Sequence, residues 1–482
     1  MSSKKKGKES QRKPAAPRTN GDCLRRSLDW VVNDQIFLNL TFHGNVTWTA
    51  AALVRLAIFW VWSNESSIVE AAKESIKSVH SIYGSVAVNS YQALMGALRK
   101  YTPVLLPVLW ARLQHLMKEC DDRTWRVGFW LALAIDGSRL GVPRTFKNEV
   151  RFCKPRNTGS KKKRKKYRRR YANAKKRVER IRRKSHYDPQ PVAPQMWLTL
   201  IWHIGQRLPW CWEIGPSYSS EREHVLQAIS KHKFPENTLF CGDAGFVGYS
   251  FWSTIHDKGH RFLARVGGNI RLLKKLGYVR ERNGTVYSWP DEAMKKKQPP
   301  LVLRLLKFHT GRGYVFLVTN ILQERDLTLA QAAEIYRRRW GVELQFRAFK
   351  QTYERTKLHC HIPENCEVEL HWSLLGLWIV QILAFKEQIK AEEPNEGTSI
   401  ATALRIIRSI IREESKVPAP GESLDQQLSD AVTDNYVRHS KKQSRNYPRR
   451  KEEPFAGPPQ IQLATAKQKA ELATIQQLEL AT

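Results

Sequence analysis

Between Lys161 and Lys184 the chain reads KKKRKKYRRRYANAKKRVERIRRK, in which sixteen of twenty-four residues are lysine or arginine and one is glutamate. A block carrying +15 repels itself and cannot enter a core, so any fold must be completed by the sequence on either side of it. Apolar, strand-like sequence flanks the block on both sides. It therefore reads as an arm (154–190) inserted in a loop of a larger domain, with the composition of a nucleic-acid-binding segment. Tyr167 and Tyr171 inside it either stack on bases or are incidental. In a eukaryotic protein the same composition would serve as a nuclear-localisation signal. The block supplies +15 of a total of +36, for a pI near 10.1. That excess points to a polyanionic partner, most simply DNA or RNA. An anionic membrane is the competing polyanion, but the longest apolar stretches, Ala51–Trp62 and Trp372–Phe385, are short for a bilayer span and read as core helices.

With 482 residues and 41% hydrophobic content, the chain is long enough for two or three domains with their own cores. Seven scattered cysteines fit reduced thiols in a cytoplasmic protein better than a disulfide framework. His359-Cys360-His361 followed by Cys366 suits a closed zinc site poorly, and strand alternation explains it more simply. Residues 1–20 form a basic tail with no apolar region after it, which reads as disordered and not as a signal peptide. From 21 to 123 the periodicity is helical throughout, with Gly84 ending one helix and Asn89-Ser90 opening the next. This region is the expected helical DNA-binding domain, although bundle packing would give the same pattern as a helix-turn-helix.

At Thr124 the texture changes to mixed α/β. The apolar run Phe129–Ile135 reads as a buried strand ending in Asp136-Gly137-Ser138. A carboxylate there either caps a turn or ligates a cation. Beyond the arm, residues 194–216 read as a hairpin around Gly205-Gln206-Arg207. Ser220 to Glu223 forms a capping-box pattern opening a short helix. NTLFCGD is then a strand ending in Asp243, with Gly242 and Gly245 around it. Another strand, a polar, turn-rich, β-rich insertion (about 267–312) and the strand GYVFLVTNI follow. The catalytic-type region closes near 391 after a largely buried helix, and 392–482 reads as an exposed helical or flexible appendage.

Ile335–Lys357 reads as one helix. Tyr336, Arg339, Glu343 and Lys350 fall within roughly 60° of one another at about 100° per residue. A hydroxyl, a guanidinium, a carboxylate and an ammonium on one face suit a metal-and-phosphate site, while a solvated basic helix is the plainer alternative. Two strand-end aspartates and a helix glutamate can converge at one sheet edge, where they would repel one another without cations. Mg²⁺, a hard ion that keeps waters for phosphates, is the expected cation, acting as a pair with Mn²⁺ able to substitute.

These motifs resemble the bacterial insertion-sequence DDE transposases that carry a Tyr-Arg-Glu-Lys signature on a ribonuclease-H-like catalytic domain. The residues concerned are Asp136-Gly137-Ser138, Asp243-x-Gly245-Phe246, and Tyr336-x2-Arg339-x3-Glu343-x6-Lys350, in a region spanning about 124–391. The resemblance implies Asp136, Asp243 and Glu343 as catalytic metal ligands and Tyr336, Arg339 and Lys350 as contacts to phosphates at the transposon end. It also implies that an aromatic of the insertion stacks on a flipped base, for which Trp289 is the candidate and a core role the alternative. The implied activity is cut-and-paste transposition: metal-dependent cleavage at terminal inverted repeats, then strand transfer into target DNA by a homodimer bridged by two ends. A ribonuclease-H-fold DNA nuclease without strand transfer needs the same acids. A domesticated, non-catalytic DNA-binding protein would need none of the three.

Overall fold

The computed structural model describes residues 18–155, 192–392, 397–433 and 457–481, apart from His43, Asn45, Ser85 and Arg312. The basic tail up to residue 17 and the Lys161–Lys184 arm lie outside the described residues. The apolar run ahead of Asp136 becomes strand β1 (Leu131–Gly141), whose first five residues are buried. A strand with no exposed face at that end must be covered on both sides, and the rest of the domain supplies the cover. Strand β2 (Gln195–His203) pairs antiparallel with β1, placing Leu200 opposite Asp136, and β3 (Leu208–Pro216) returns antiparallel on β2. On the other side of β1, β4 (Thr238–Gly242) and β5 (Arg261–Val266) run parallel to it. The order β3-β2-β1-β4-β5, three antiparallel strands followed by two parallel ones, is the ribonuclease-H-like sheet that the sequence predicts.

The insertion extends this sheet. Strands β6 (Arg271–Lys274), β7 (Thr285–Ser288), β8 (Leu301–His309) and β9 (Tyr314–Thr319) add to it, with β9 antiparallel on β5. The C-terminal part differs from the expected exposed appendage. Strand β10 (Gln460–Leu463) pairs parallel with β6 at the far edge, giving ten strands in one sheet. The following helix seats Leu472 and Ile475 against Leu273, Tyr287 and Trp289 in a small second core. Residues 397–433 are likewise built in: Leu404, Ile407, Ile410, Leu424 and Leu428 are buried. The apolar periodicity of ATALRIIRSIIR, overlooked beside its charges, was the available signal.

The N-terminal helices α1 (Asn20–Val31), α2 (Ala50–Trp62), α3 (Ile68–Tyr83) and α4 (Tyr91–Cys120) form where the periodicity expects them. Gly84 ends α3 with φ +87°, and the Ser90 hydroxyl accepts the Ala93 N–H to open α4. These helices do not enclose a core of their own. One hydrophobic core runs from Cys23 to Ala431. The Trp62 indole donates to the Gly376 carbonyl at 3.0 Å and the Trp372 indole to the Thr102 hydroxyl at 2.8 Å, tying α2 and α4 to the long Pro363–Lys390 helix. By length and composition that helix could cross a membrane, but 94% of its most apolar window is buried inside the protein, as befits a core helix. Eleven of the thirteen α2 residues are buried, so α2 offers no free face to a DNA groove. His359-Cys360-His361 lies in a loop, not a strand, and Cys366 in the first turn of the long helix. Glu369 accepts the N–H groups of His359 and Cys360, and all seven cysteines are free.

His203 reports on the packing of β2 under α4. Its Nε2 donates to the Trp125 carbonyl at 3.1 Å and its Nδ1 accepts the Gln206 N–H at 3.0 Å, an arrangement only the neutral ring satisfies. Burial pushes its pKa down to about 3. With a folded value below the unfolded one, its contribution is complete above about pH 6.5 and is lost as pH falls, because the unfolded state takes up the proton first. A His203→Gln protein should therefore show a melting-temperature deficit that is largest near pH 7 and narrows toward pH 5. Parallel melting curves for parent and variant would remove this role from His203.

Candidate active site

Strands β1 and β4 share their last pair at Ala134 and Cys241, and two residues beyond it each strand presents an aspartate. Equal offsets in parallel strands put Asp136 and Asp243 side by side where the strands part, the carboxyl-end crevice at which open α/β sheets bind ligands. Local backbone holds both. The Asp136 Oδ1 accepts the Gly137 N–H at 2.8 Å and the Asp243 Oδ1 accepts the Gly245 N–H at 2.7 Å.

The Ile335–Lys357 stretch faces this crevice, though not as one helix. It forms Leu329–Arg338 and Gly341–Gln351, which meet at a tight step over Arg339 and Trp340. The Trp340 N–H reaches only to the Arg337 carbonyl and the Val342 N–H to that of Arg339, three-residue spacings that tighten the turn. Gly341 is the cause: a Cβ there would lie 2.1 Å from the Trp202 ring, so only glycine lets the step close onto β2. Despite the step, Arg339, Glu343 and Lys350 still point to one place. The Arg339 side chain is 8% exposed; its Nη2 donates to the Glu343 Oε1 at 3.2 Å, and its Nη1 lies 3.9 Å from the Asp136 Oδ2. The Arg339 Nε and Nη1 have no hydrogen-bond acceptor among the described residues. Half-buried Tyr336 lies under that guanidinium, 5.6 Å from its ring centre. The Lys350 ammonium donates to the Ser138 hydroxyl at 2.7 Å.

Trp289 does not join them. Its ring is 4% exposed in the small second core, and its indole donates to the Gln298 carbonyl at 2.8 Å. A ring so enclosed has no face for a base, so the core alternative is the one the structure supports. One acid that the sequence reading did not single out, lying inside the Ser220–Glu223 pattern, does belong here. Glu221 opens the helix Glu221–Lys231, and burial, then Asp136 and Asp243, push its carboxyl up to about 7. A cleft acid at a helix start after a hairpin carries no spacing signal of its own, so only the folded register reveals it.

Burial pushes the Asp136 carboxyl up to about 6. The Gly137 N–H and Arg339 pull the other way, and Asp243 and Glu343 add to the rise. Among the described residues no three acids, imidazoles or thiolates stand close enough to share one ion as placed, and the Arg339 guanidinium lies between Asp136 and Glu343. The donor chemistry nonetheless fits a hard divalent cation: carboxylate oxygens gather around one crevice, beside a buried guanidinium with donors to spare for a phosphate. A raised carboxyl pKa means stability that is complete below about pH 4 and lost as pH rises through about 6. Without metal, Asp136→Asn should melt higher than the parent at pH 8, by the equivalent of up to about 3 kcal/mol, and the gain should vanish near pH 4. Mg²⁺ should raise the parent's melting temperature at pH 8 and leave the variant's unmoved. A destabilised variant at pH 8 would contradict the electrostatic picture.

Residues 131–379, more than half of the chain, match the family described as transposase DDE domain. The chain is 26% identical over 290 residues to the transposase InsG for insertion sequence element IS4 of Escherichia coli (strain K12), an alignment that covers 57% of this chain and 64% of that one. The chain thus spans less than two thirds of the length of that relative. Among solved structures, the piggyBac transposase synaptic complex with hairpin DNA is 11% identical over 86% of each chain, with a TM-score of 0.37 that is too low to bear on the argument. The matched residues run from the first residue of β1 through Asp136, Asp243 and Glu343 and into the long core helix, and by that match the chain belongs to the transposase DDE domain family.

Proposed function

We propose that this protein is a DNA transposase that excises an insertion sequence and joins it to a target by two phosphoryl transfers at one site. The observation that carries the reading is the matched placement of Asp136 and Asp243, each two residues beyond the last shared pair of β1 and β4, with Arg339 and Glu343 facing them. In this reading Asp136, Asp243 and Glu343 hold divalent cations, Mg²⁺ in the cell and Mn²⁺ as a substitute. When bound, a pair of such ions activates the attacking water or 3′-hydroxyl and stabilises the leaving oxygen.

The chain's own residues bind and position the DNA. Arg339, buried with two donors unfilled, turns toward a phosphate of the transposon end once a cation relieves it of the carboxylates. Lys350, held 2.7 Å from the Ser138 hydroxyl and pushed toward neutrality by burial, holds a second phosphate oxygen beside β1. Tyr336 fixes the guanidinium from below. The Lys161–Lys184 arm clamps double-stranded DNA, which would release counterions and make end binding steeply salt-dependent. The helical 21–123 region and residues 392–482 contribute further contacts to terminal repeats, target or partner subunit in a homodimer bridged by two ends. All of this would take place on the nucleoid of a prokaryotic cytoplasm.

Labelled terminal-repeat DNA and a supercoiled plasmid target separate this reading from a nuclease of the same fold: joined products mark a transposase, cleavage alone a nuclease. Glu343→Gln should keep end binding in a gel-shift assay and lower Mg²⁺-dependent cleavage by at least about 100-fold, as should Asp136→Asn and Asp243→Asn. Lys350→Ala should weaken end binding or slow cleavage while metal binding persists. Undiminished cleavage by Glu343→Gln would defeat the assignment.

A further inference from the structure

Glu221 has no task in the reading above, yet it sits in the crevice. It is the first residue of its helix, just after Ser220, whose hydroxyl accepts the Glu223 N–H at 3.4 Å and so fixes the helix start. Its carboxylate accepts no hydrogen bond from a described residue. Gly137 makes room for it, and Gly245 lies beside it. A Cβ on Gly137 would lie 2.6 Å from the Glu221 Oε1, and a Cβ on Gly245 would lie 3.8 Å from its Oε2 and 3.0 Å from the Asp243 Oδ1. The carboxylate therefore rests across the backbone of both segments that carry the aspartates. Successive residues of a strand face opposite sides of the sheet. On β1, Ser138 meets Lys350 on one side while Gly137 meets Glu221 on the other, so Glu221 reaches the crevice from the face opposite Glu343. A separate observation says that a ligand belongs in this crevice: Arg339, 8% exposed and aimed at Asp136, leaves its Nε and Nη1 without acceptors. Arg139 and Arg222 also act on Glu221 from nearby, and several carboxylates around a guanidinium with unfilled donors are surroundings that suit a divalent cation with a phosphate on it.

We propose that Glu221 is a fourth carboxylate ligand, which a divalent cation would draw together with Asp136 and Asp243, since the three do not stand close enough as placed to share one ion. A side chain at Gly137 would displace this carboxylate. The proposal rests on the reading of Asp136 and Asp243 as ligands, and its test keeps the two apart. Mn²⁺ binding to the full-length protein, followed by the loss of the free-ion electron paramagnetic resonance signal, would be compared for the parent, Glu221→Gln, Gly137→Ala and Asp136→Asn. Loss of an outer-shell partner alone costs about 10- to 100-fold in metal affinity, so loss of a ligand should cost at least tenfold. The expected result is that weakening, or one ion fewer, for both Glu221→Gln and Gly137→Ala, with DNA cleavage by Glu221→Gln recovering as Mn²⁺ is raised. A parent-like isotherm for Glu221→Gln beside a weakened Asp136→Asn would overturn the role of Glu221 and leave the aspartate reading intact. Parent-like isotherms for all three variants would overturn both. Should Glu221→Gln fail to fold, Gly137→Ala, which retains the carboxylate but crowds it, decides by the same criterion.

Discussion

The site depends on where two parallel strands stop pairing. β1 and β4 are held together from Leu131 and Thr238 to Ala134 and Cys241 and then part, β1 continuing along β2 while β4 ends at Gly242. The parting opens a crevice within a ten-stranded sheet, three strands from one edge, with an aspartate on each lip. Neither carboxylate relies on a long flexible side chain for its position. Each is the second residue past a buried pair and is pinned by the N–H of a nearby glycine. The elements around the crevice, from the hairpin to the stepped helix pair and the long core helix, belong to the one hydrophobic core that packs against those two backbones.

Charge balance at the crevice follows from that rigidity. Aspartates that cannot move apart must be neutralised by protons, by a cation or by a neighbouring guanidinium. In this structure Arg339 takes part of that role between Asp136 and Glu343, and the raised carboxyl of Asp136 takes another. A buried guanidinium shared by two carboxylates and still left with free donors is poised for exchange. In the proposed function a cation would take over the carboxylates and a phosphate the guanidinium, so metal and DNA would favour each other's binding. The excess of positive charge over the rest of the chain then serves the longer range, drawing the polyanion to the crevice.

Much of this was legible in the sequence, and the failures have physical causes. Phe129–Ile135 and NTLFC read as strands because buried parallel strands are continuously apolar, and their terminal aspartates stood out for that reason. The four-residue face of Tyr336, Arg339, Glu343 and Lys350 was found from helical spacing, although the helix steps at Arg339–Trp340. The step escaped notice because it depends on Gly341 meeting Trp202, a contact between residues far apart in the chain. Glu221 escaped for the same kind of reason, since its importance lies in two glycines that only the sheet register brings to it. Trp289 misled because an aromatic in a polar insertion looks exposed, and the residues that bury it, Leu472 and Ile475, come from the far end of the chain. Residues 397–433 looked like an appendage because their charges outnumber their aromatics, whereas their aliphatic stripe packs into the main core.

The central claim is that the crevice between β1 and β4 binds a divalent cation and that Arg339 leaves the carboxylates for DNA phosphate when it does. Crystals of the protein with terminal-repeat DNA and Mn²⁺, measured at the manganese absorption edge, test it directly. The account predicts an anomalous peak bonded to Asp136 and Asp243, with the Arg339 guanidinium turned onto a phosphate oxygen. DNA bound in the crevice with no such peak, and Arg339 still bridging Asp136 and Glu343, would contradict it.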